Sequence, residues 1–514
     1  MRFSVPLAML GCFVVVSPSY AEVKLPPVIS SHMVLQREAA VPIWGTAAPG
    51  EKVTVQFRDQ TKTAEAGKDG KWSLKLDALK AGGPDKLTVK GTNTITLDDV
   101  LVGEVWVGSG QSNMQGNVGG YAKGDPLLTK MLEGSPYSKI RLIQGKTPWK
   151  EATLANVNQA SALLFAFGLR LQQELDVPVG LMLGAVGGTP SGPWLSEEAY
   201  NADQACKDAI VKFAKTYNYD ELQKKYEASL EKWKADAEIA KKDNKPEPKK
   251  PTPPQKPGTP TSKIGGLYET HIRHFIPFGI RGVLWDQGES GTAVVGVDQY
   301  SLMGALIRGW RKDWNQGDFP FIYIQKPSGG GPAWDPENAT TKQANKFAPL
   351  PKEPLPTQAG LYRETHIRIA NYPNTAMAIA SDLGSGIHPS NKSGYGDRAC
   401  RVALGMVYGK KIEYYGPMYA ENRLEGESLR VTFKHVGQGL AFKHGDKLQG
   451  FAIAGADKVF HWAEASISGD AVLLSSPSVK KPVAVRYAWG QEHPWANLFN
   501  KDGLPALPFR SDNW

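Results

Sequence analysis

The sequence predicts an α/β protein, a sandwich of helices on a parallel sheet, with a β-module at each end. Three observations predict it. From about Leu101 the chain alternates short, almost wholly apolar runs (105–107, 140–143, 179–185, 282–285, 321–324 and 376–380) with helical stretches near 160–175 and 299–314. Strands covered by helices on both faces read as continuous apolar runs of this kind. On either side of that region the pattern is short and alternating, as half-exposed antiparallel strands require. Finally, 514 residues exceed what one core organises, and at about 100–200 residues per domain the length corresponds to roughly three.

The elements follow in order. Arg2, an apolar run over 3–16 and Ser17-Pro18-Ser19-Tyr20-Ala21 have the layout of a signal peptide. Residues 1–21 are therefore expected to be cleaved and the mature protein exported, to the periplasm or the medium. Cys12 after Leu10-Gly11 offers a lipoprotein reading, against which the apolar run continues to Val16. No later apolar stretch approaches the ~20 residues of a membrane span. Residues 22–100 form an N-terminal β-domain, with 53–57 and 72–76 alternating on either side of the turn residues Asp69-Gly70 and 87–89 adding a third strand. The α/β domain is placed at 101–410 and is interrupted by an insert at 203–263. There Asp220 with Gln223 makes a capping box, and Leu222, Tyr226, Leu230, Trp233 and Ala237 form one apolar helical face. The Pro- and Lys-rich stretch over 245–260 is expected to be stiff, solvated and poorly ordered. Strands return at 429–433, 450–453, 471–474 and 483–487, which makes 411–514 a C-terminal β-domain.

With 41% hydrophobic and 22% charged residues the chain has a globular composition. Its net charge is +9, but seven lysines against Asp243 and Glu247 fall within 241–263, so most of the excess lies in the insert. No basic face interleaved with aromatics accompanies it, and nucleic acid is not an expected partner. Beyond Cys12 only Cys206 and Cys400 remain, too few for a disulfide framework or a cysteine metal site. His271 and His274 sit three apart without a third ligand or an HExxH pattern. No metal and no organic cofactor is expected.

The run 105–107 leads into Gly108-Ser109-Gly110-Gln111-Ser112-Asn113-Met114, a serine just past a strand end among glycines that permit a tight turn. Open α/β sheets carry their sites beyond the carboxyl ends of the strands. Met114 stands where the G-x-S-x-G elbow of α/β-hydrolases has its second glycine, so this is a different kind of turn. Taken alone, such a serine is more often a turn or helix-cap residue than a nucleophile.

Gly110-Gln111-Ser112-Asn113-Met114 resembles the first block of the SGNH hydrolases, in the form carried by sialate O-acetylesterases and related carbohydrate acetylesterases. Gly187-Gly188-Thr189-Pro190 with Trp194, Trp285-Asp286-Gln287-Gly288-Glu289-Ser290, and Ile387-His388-Pro389 with Asn391-Lys392 resemble the later blocks, in the family's order. His32-Met33-Val34-Leu35-Gln36, Val485-Arg486-Tyr487-Ala488-Trp489 and Leu504-Pro505-Ala506-Leu507-Pro508-Phe509-Arg510 are similar to its β-modules. The match spans the mature chain apart from the insert. It implies an SGNH-type three-layer sandwich and a serine esterase that removes O-acetyl groups from carbohydrates, sialic acid or plant-type, through an acetyl-enzyme. It further implies Ser112 as nucleophile, His388 as base, and an oxyanion hole of the Ser112 N–H, the Gly188 N–H (Gly187 in the alternative) and the Gln287 amide, with Asn113 and Glu289 in support.

The chemistry calls for these residue types. A serine hydroxyl is inert until a base such as imidazole takes its proton, and donors aimed at the developing oxyanion contribute about 3–4 kcal/mol each. The pattern departs from the family at Ser385, where an aspartate usually holds the histidine's tautomer. Losing such a carboxylate costs about 10⁴ in rate where nothing replaces it. Asp382, on the same loop, Asp286, or a backbone carbonyl or water are the candidates to orient His388. Asp286 and Gly291 also stand where the family often has Tyr and Asn. Two other readings follow: a carbohydrate-binding protein that is weak or inactive as an enzyme, motivated by Ser385, and a glycoside hydrolase, for which no carboxylate pair can be assigned from sequence.

Overall fold

The apolar runs of the middle region form one sheet. In the computed structural model, which describes residues 22–333, 335 and 345–514, its order is Thr375–Ala378, Phe321–Ile324, Gly282–Asp286, Thr94–Gly110, Val179–Ala185, Tyr137–Gln144 and Lys150–Ala152. Neighbours pair in parallel except the last two, which are antiparallel. The expected signal peptide, with Cys12 and the cut after Ala21, lies outside the described residues. Among those residues no helix is long and apolar enough to cross a membrane.

Helices cover both faces, which is why these strands show no polar alternation. Ala162–Leu175 starts where Ser161 Oγ accepts from the Leu164 N–H at 3.2 Å. It is buried along most of its length because the sheet lies on one side and Lys392–Met406 on the other. Trp106 of the sheet meets Phe167 of that helix edge-on at 5.0 Å. On the opposite face Trp285 meets Trp310, of helix Gln299–Trp314, at 5.9 Å and Trp194 at 6.1 Å.

Thr94–Gly110 is a single strand of 17 residues. Its first part pairs with Gly82–Lys90 and Val34–Gln36, and from Glu104 onward it lies between Val179–Ala185 and Gly282–Asp286. The boundary placed between 100 and 101 falls inside this strand, and one apolar core runs from Val53, Val55 and Phe57 through to Trp285 and Phe321. The N-terminal strands thus help set the register of the strand that ends at the candidate nucleophile.

Beyond Met406, two four-stranded antiparallel sheets enclose a second core around Leu429, Val431, Phe451, Ile453, Val472 and Val485. Arg363 of the α/β region joins the two parts, its guanidinium donating to the carbonyls of Gly329 and Gln491, and the His493 N–H donates to Gly330 O at 2.6 Å.

The insert differs from expectation in three details. Its long helix is Tyr219–Lys242 and is capped by Asn218, which accepts from the Glu221 N–H at 3.1 Å and donates to Glu221 Oε2 at 3.2 Å, so the capping box expected at Asp220 and Gln223 does not form. Asparagine is as good an N-cap as aspartate, and here it starts the helix two residues earlier. Its shielded stripe runs through Gln223, Tyr226, Leu230, Trp233 and Ala237, and Leu222 is exposed. The Pro-rich stretch lies along that helix, where Trp233 Nε1 donates to Pro248 O at 2.7 Å and Lys250 sits 5.4 Å from the Trp233 ring centroid.

Candidate active site

The long strand ends at Gly110, whose φ of +127° and whose closeness to the Asp286 carbonyl leave no room for a β-carbon. The chain can therefore bend across the neighbouring strand, where the Gln111 N–H donates to Asp286 O at 2.8 Å. A short helix, Ser112–Gln115, begins immediately, so the Ser112 N–H has no acceptor inside the helix, and among the described residues it has no other acceptor. The Ser112 hydroxyl lies 2.8 Å from His388 Nε2, which arrives from a loop 276 residues later. The sequence pointed to this meeting of hydroxyl and imidazole.

The loop over 186–191 flanks the serine. The Gly187 N–H donates to Gln115 Oε1 at 2.8 Å, whereas among the described residues the Gly188 N–H has no partner. Of the two glycines weighed, Gly188 keeps a donor to offer. Gln287 is placed otherwise than expected. It is buried, its Nε2 donates to Thr189 O (3.3 Å) and Gly291 O (3.2 Å), and its Oε1 accepts from Ser191 Oγ (2.7 Å) and Gln299 Nε2 (3.1 Å). An amide with both ends engaged ties two loops together and has no hydrogen left for an oxyanion.

Neither carboxylate weighed as the orienting group reaches His388. Both oxygens of Asp382 accept from Arg398, at 3.1 and 2.8 Å. Asp286 is fully buried and paired with Lys326 Nζ at 2.6 Å. Burial is the main cause that raises its pKa. Among the described residues no hydrogen bond is made by His388 Nδ1.

Beneath the serine lies a buried network that the sequence only partly signals. Glu289 accepts from Gln111 Nε2 (2.9 Å) and Ser328 Oγ (2.9 Å) and pairs with Lys326 (3.0 Å). Burial opposes its charge, but Lys326 and these hydrogen bonds outweigh that and hold its pKa below the usual carboxylate value. Glu289 thus braces the residue before Ser112, the supporting position given to it. Asn113, also expected in support, donates to Ile387 O at 3.0 Å and accepts from Lys392 Nζ at 2.7 Å. Lys392 is fully buried, and burial pushes its pKa down to about 7. The sequence carried a signal for it: a lysine in the first turn of a helix opposes the helix dipole, and such a placement calls for a specific role.

A cleft of about 540 Å³ opens beside the serine, lined by Ser112, Gln115, Asn117, Tyr121, Gln144 and Gln159 among others. Elsewhere His32, Asp99 and Glu151 bring three possible metal-ligating atoms within 4.8 Å. Arg141 already donates to the same Asp99 oxygen that His32 contacts (2.7 and 2.8 Å), and a cation there would face a guanidinium. His271 and His274 fall in two consecutive short turns, and His271 Nδ1 pairs with Thr270 Oγ1.

This site belongs to a carboxylic ester hydrolase on an α/β fold. The resemblance read from the four blocks extends along the chain. The chain is 26% identical over 535 residues to the human sialate O-acetylesterase, covering 94% of this chain and 91% of that one, and 27% identical over 543 residues to the rat sialate O-acetylesterase, covering 94% and 93%. It is also similar to the crystal structure of a carbohydrate acetylesterase from Xanthomonas citri, with a TM-score of 0.73 and 28% identity over 96% of this chain and all of that one. No family model matches the chain.

Proposed function

We propose that the protein removes O-acetyl groups from carbohydrates through an acetyl-enzyme on Ser112. The observation that carries this reading is the 2.8 Å contact between Ser112 Oγ and His388 Nε2 at the end of a central parallel strand. Ser112 Oγ attacks the acetyl carbonyl carbon while Nε2 takes its proton, and the carbonyl oxygen turns negative beside the Ser112 and Gly188 N–H groups. Collapse breaks the bond to the sugar oxygen, which receives the proton from His388. Water then attacks the acetyl carbon by the same route, releasing acetate and restoring the hydroxyl.

The proteins to which the chain is similar carry the substrate class in their names, as sialate O-acetylesterases and a carbohydrate acetylesterase. The amide side chains of Gln115, Asn117, Gln144 and Gln159 along the cleft suit sugar hydroxyls, which both donate and accept. In the same proposal the α/β body is an SGNH-type sandwich with a β-module at each end, the N-terminal one continuous with it through Thr94–Gly110, and residues 1–21 direct export. N-terminal sequencing of the mature protein, expected to begin at Glu22, tests the last point.

The central test is acetate release from a panel of acetylated sialosides, xylo-oligosaccharides and pectic fragments, together with aryl acetate hydrolysis. Ser112→Ala is expected to lower kcat by at least about 10⁴. Turnover like that of the unmodified protein would reject the Ser–His reading. The unpartnered Nδ1 of His388 motivates a second reading, a glycan-binding protein with little or no activity. Saturable glycan binding without acetate release from any panel member would favour it. A glycoside hydrolase finds no support: Asp286 and Glu289 do come together, but Asp286 is fully buried and both carboxylates are paired with the buried Lys326, beneath the serine.

A further inference from the structure

The base stands on a glycine-rich segment. Gly384 and Gly386 both have positive φ (+155° and +72°), nothing lies within 4 Å of where a Gly386 side chain would begin, and Ile387 is 61% exposed. A chain of this composition samples many conformations. His388 must nevertheless meet Ser112 Oγ within hydrogen-bonding range, and neither Asp382 nor Asp286 orients its ring.

The two carbonyls that flank His388 are, however, held from the protein interior. Ile387 O accepts from Asn113 Nδ2 at 3.0 Å, and Pro389 O accepts from Lys392 Nζ at 2.6 Å. The two donors are themselves joined, Lys392 Nζ to Asn113 Oδ1 at 2.7 Å, and both side chains are buried. Asn113 is the residue next to the nucleophile, and Lys392 opens the helix Lys392–Met406. Its methylene stem and ammonium are packed between aromatic rings, with Nζ 4.4 Å from the Tyr121 centroid and 5.2 Å from that of Tyr395. The backbone on both sides of the base is thereby bonded to the backbone turn that carries the nucleophile.

We infer that Lys392 and Asn113 are positioning residues which clamp the peptide units either side of His388, and so fix its imidazole on Ser112 in place of the family's aspartate. The inference rests on the Ser112–His388 reading above. With the two flanking carbonyls held, the direction of the His388 Cα–Cβ bond is set, and the single bond from Nε2 to Ser112 Oγ suffices to choose the ring's rotation. A displacement of about 1 Å in such a group costs on the order of 10²-fold in rate. Binding of the sugar, made in the cleft and not on this loop, is left nearly as it was.

The experiment uses the full-length chain and an aryl acetate. Lys392→Met keeps the length of the side chain and removes the ammonium with the two hydrogen bonds it donates, to Pro389 O and Asn113 Oδ1. It is expected to lower kcat about 10²-fold, with KM changed less than about threefold. Asn113→Ala, which releases Ile387, one end of the lysine and a long contact to Ser328 Oγ (3.4 Å) but leaves Pro389 held, is expected to lower kcat less. The double variant is expected to be no worse than about the poorer single one, because both residues serve the same loop. Near-UV circular dichroism and gel filtration establish the folded fraction, and kcat is expressed per folded molecule. If Lys392→Met fails to fold, Asn113→Ala and Lys392→Arg, which retains a donor, carry the same comparison. Two results would overturn the inference: a kcat per folded molecule equal to the parent's in both Lys392→Met and Asn113→Ala, or a loss confined to KM. A fully active Ser112→Ala variant would instead overturn the reading beneath it, so the two failures are separable.

Discussion

Asp382 and His388 share a loop, and charge alone would draw attention to the aspartate, yet its carboxylate grips Arg398 through both oxygens. Asp382→Asn is accordingly expected to leave kcat on an aryl acetate within about threefold of the parent. It should lower the unfolding free energy by about 1–3 kcal/mol, because it leaves the Arg398 guanidinium partly buried and less well matched. Steady-state kinetics and urea denaturation on the same preparation check both halves, and a rate loss near 10⁴ would return the aspartate to the catalytic relay. Sequence reasoning found Asp382 by proximity. It had no means of finding Arg398, because that pairing depends on the angle at which helix Lys392–Met406 leaves the loop. Gln287 shows the same limit. Its place in a block was legible, but the four groups that engage its amide come from the segments around Thr189, Ser191, Gly291 and Gln299, and only their packing shows that it is saturated.

At the scale of elements, most of the α/β body was legible because burial on both faces writes itself into composition. The runs at 179–185 and 321–324 are strands over the same residues, and the helix expected near 299–314 is Gln299–Trp314. The joint between modules was harder to read, since a strand that is half-exposed in its first part and enclosed in its second changes its pattern without ending. Thr94–Gly110 does this, with a burial pattern that turns continuously buried from Val100. The close of that strand yields a specific prediction. Gly110→Ala would drive a methyl group into the Asp286 carbonyl and force a positive φ on an L-residue. The strand lies in the middle of the sheet and cannot move aside. Destabilisation of about 3 kcal/mol or more is expected, with loss of esterase activity. A urea midpoint unchanged from the parent would show that the strand end can relax.

At the scale of the whole molecule, the C-terminal β-module meets the loop that follows Lys326 and Ser328 through His493, and a second buried histidine, His366, lies on the α/β side near Lys326. His366 lies against Gly288, its pKa lowered to about 3, first by burial and then by the charge of Lys326. His493 donates its N–H to Gly330 O, and burial, followed by the charge of Arg363, takes its imidazole well below the ordinary 6.5. Both are neutral in the folded protein at any pH where it functions, whereas the unfolded chain protonates them near 6.5. Between the two values the unfolded state binds more protons. Stability is therefore fully present above about pH 6.5 and falls as the pH is lowered below it, for His366 down to about 3, with a slope of at most about 1.4 kcal/mol per pH unit for each histidine. Most carboxylates stay ionised between pH 7 and 5, so imidazoles should dominate that window, the fully buried His366 and His493 ahead of the half-buried His274 and His444, whose pKa values burial also lowers. Urea unfolding at pH 7, 6 and 5 is expected to show the decline, and His366→Leu with His493→Leu is expected to flatten it even if the variant starts less stable. Equal slopes in the parent and the double variant would mean that the acid sensitivity lies elsewhere. Because both imidazoles stay neutral while the chain is folded, acid reaches Glu289, Gln111 and the nucleophile they support only through unfolding, and esterase activity should fall with the folded fraction and not ahead of it.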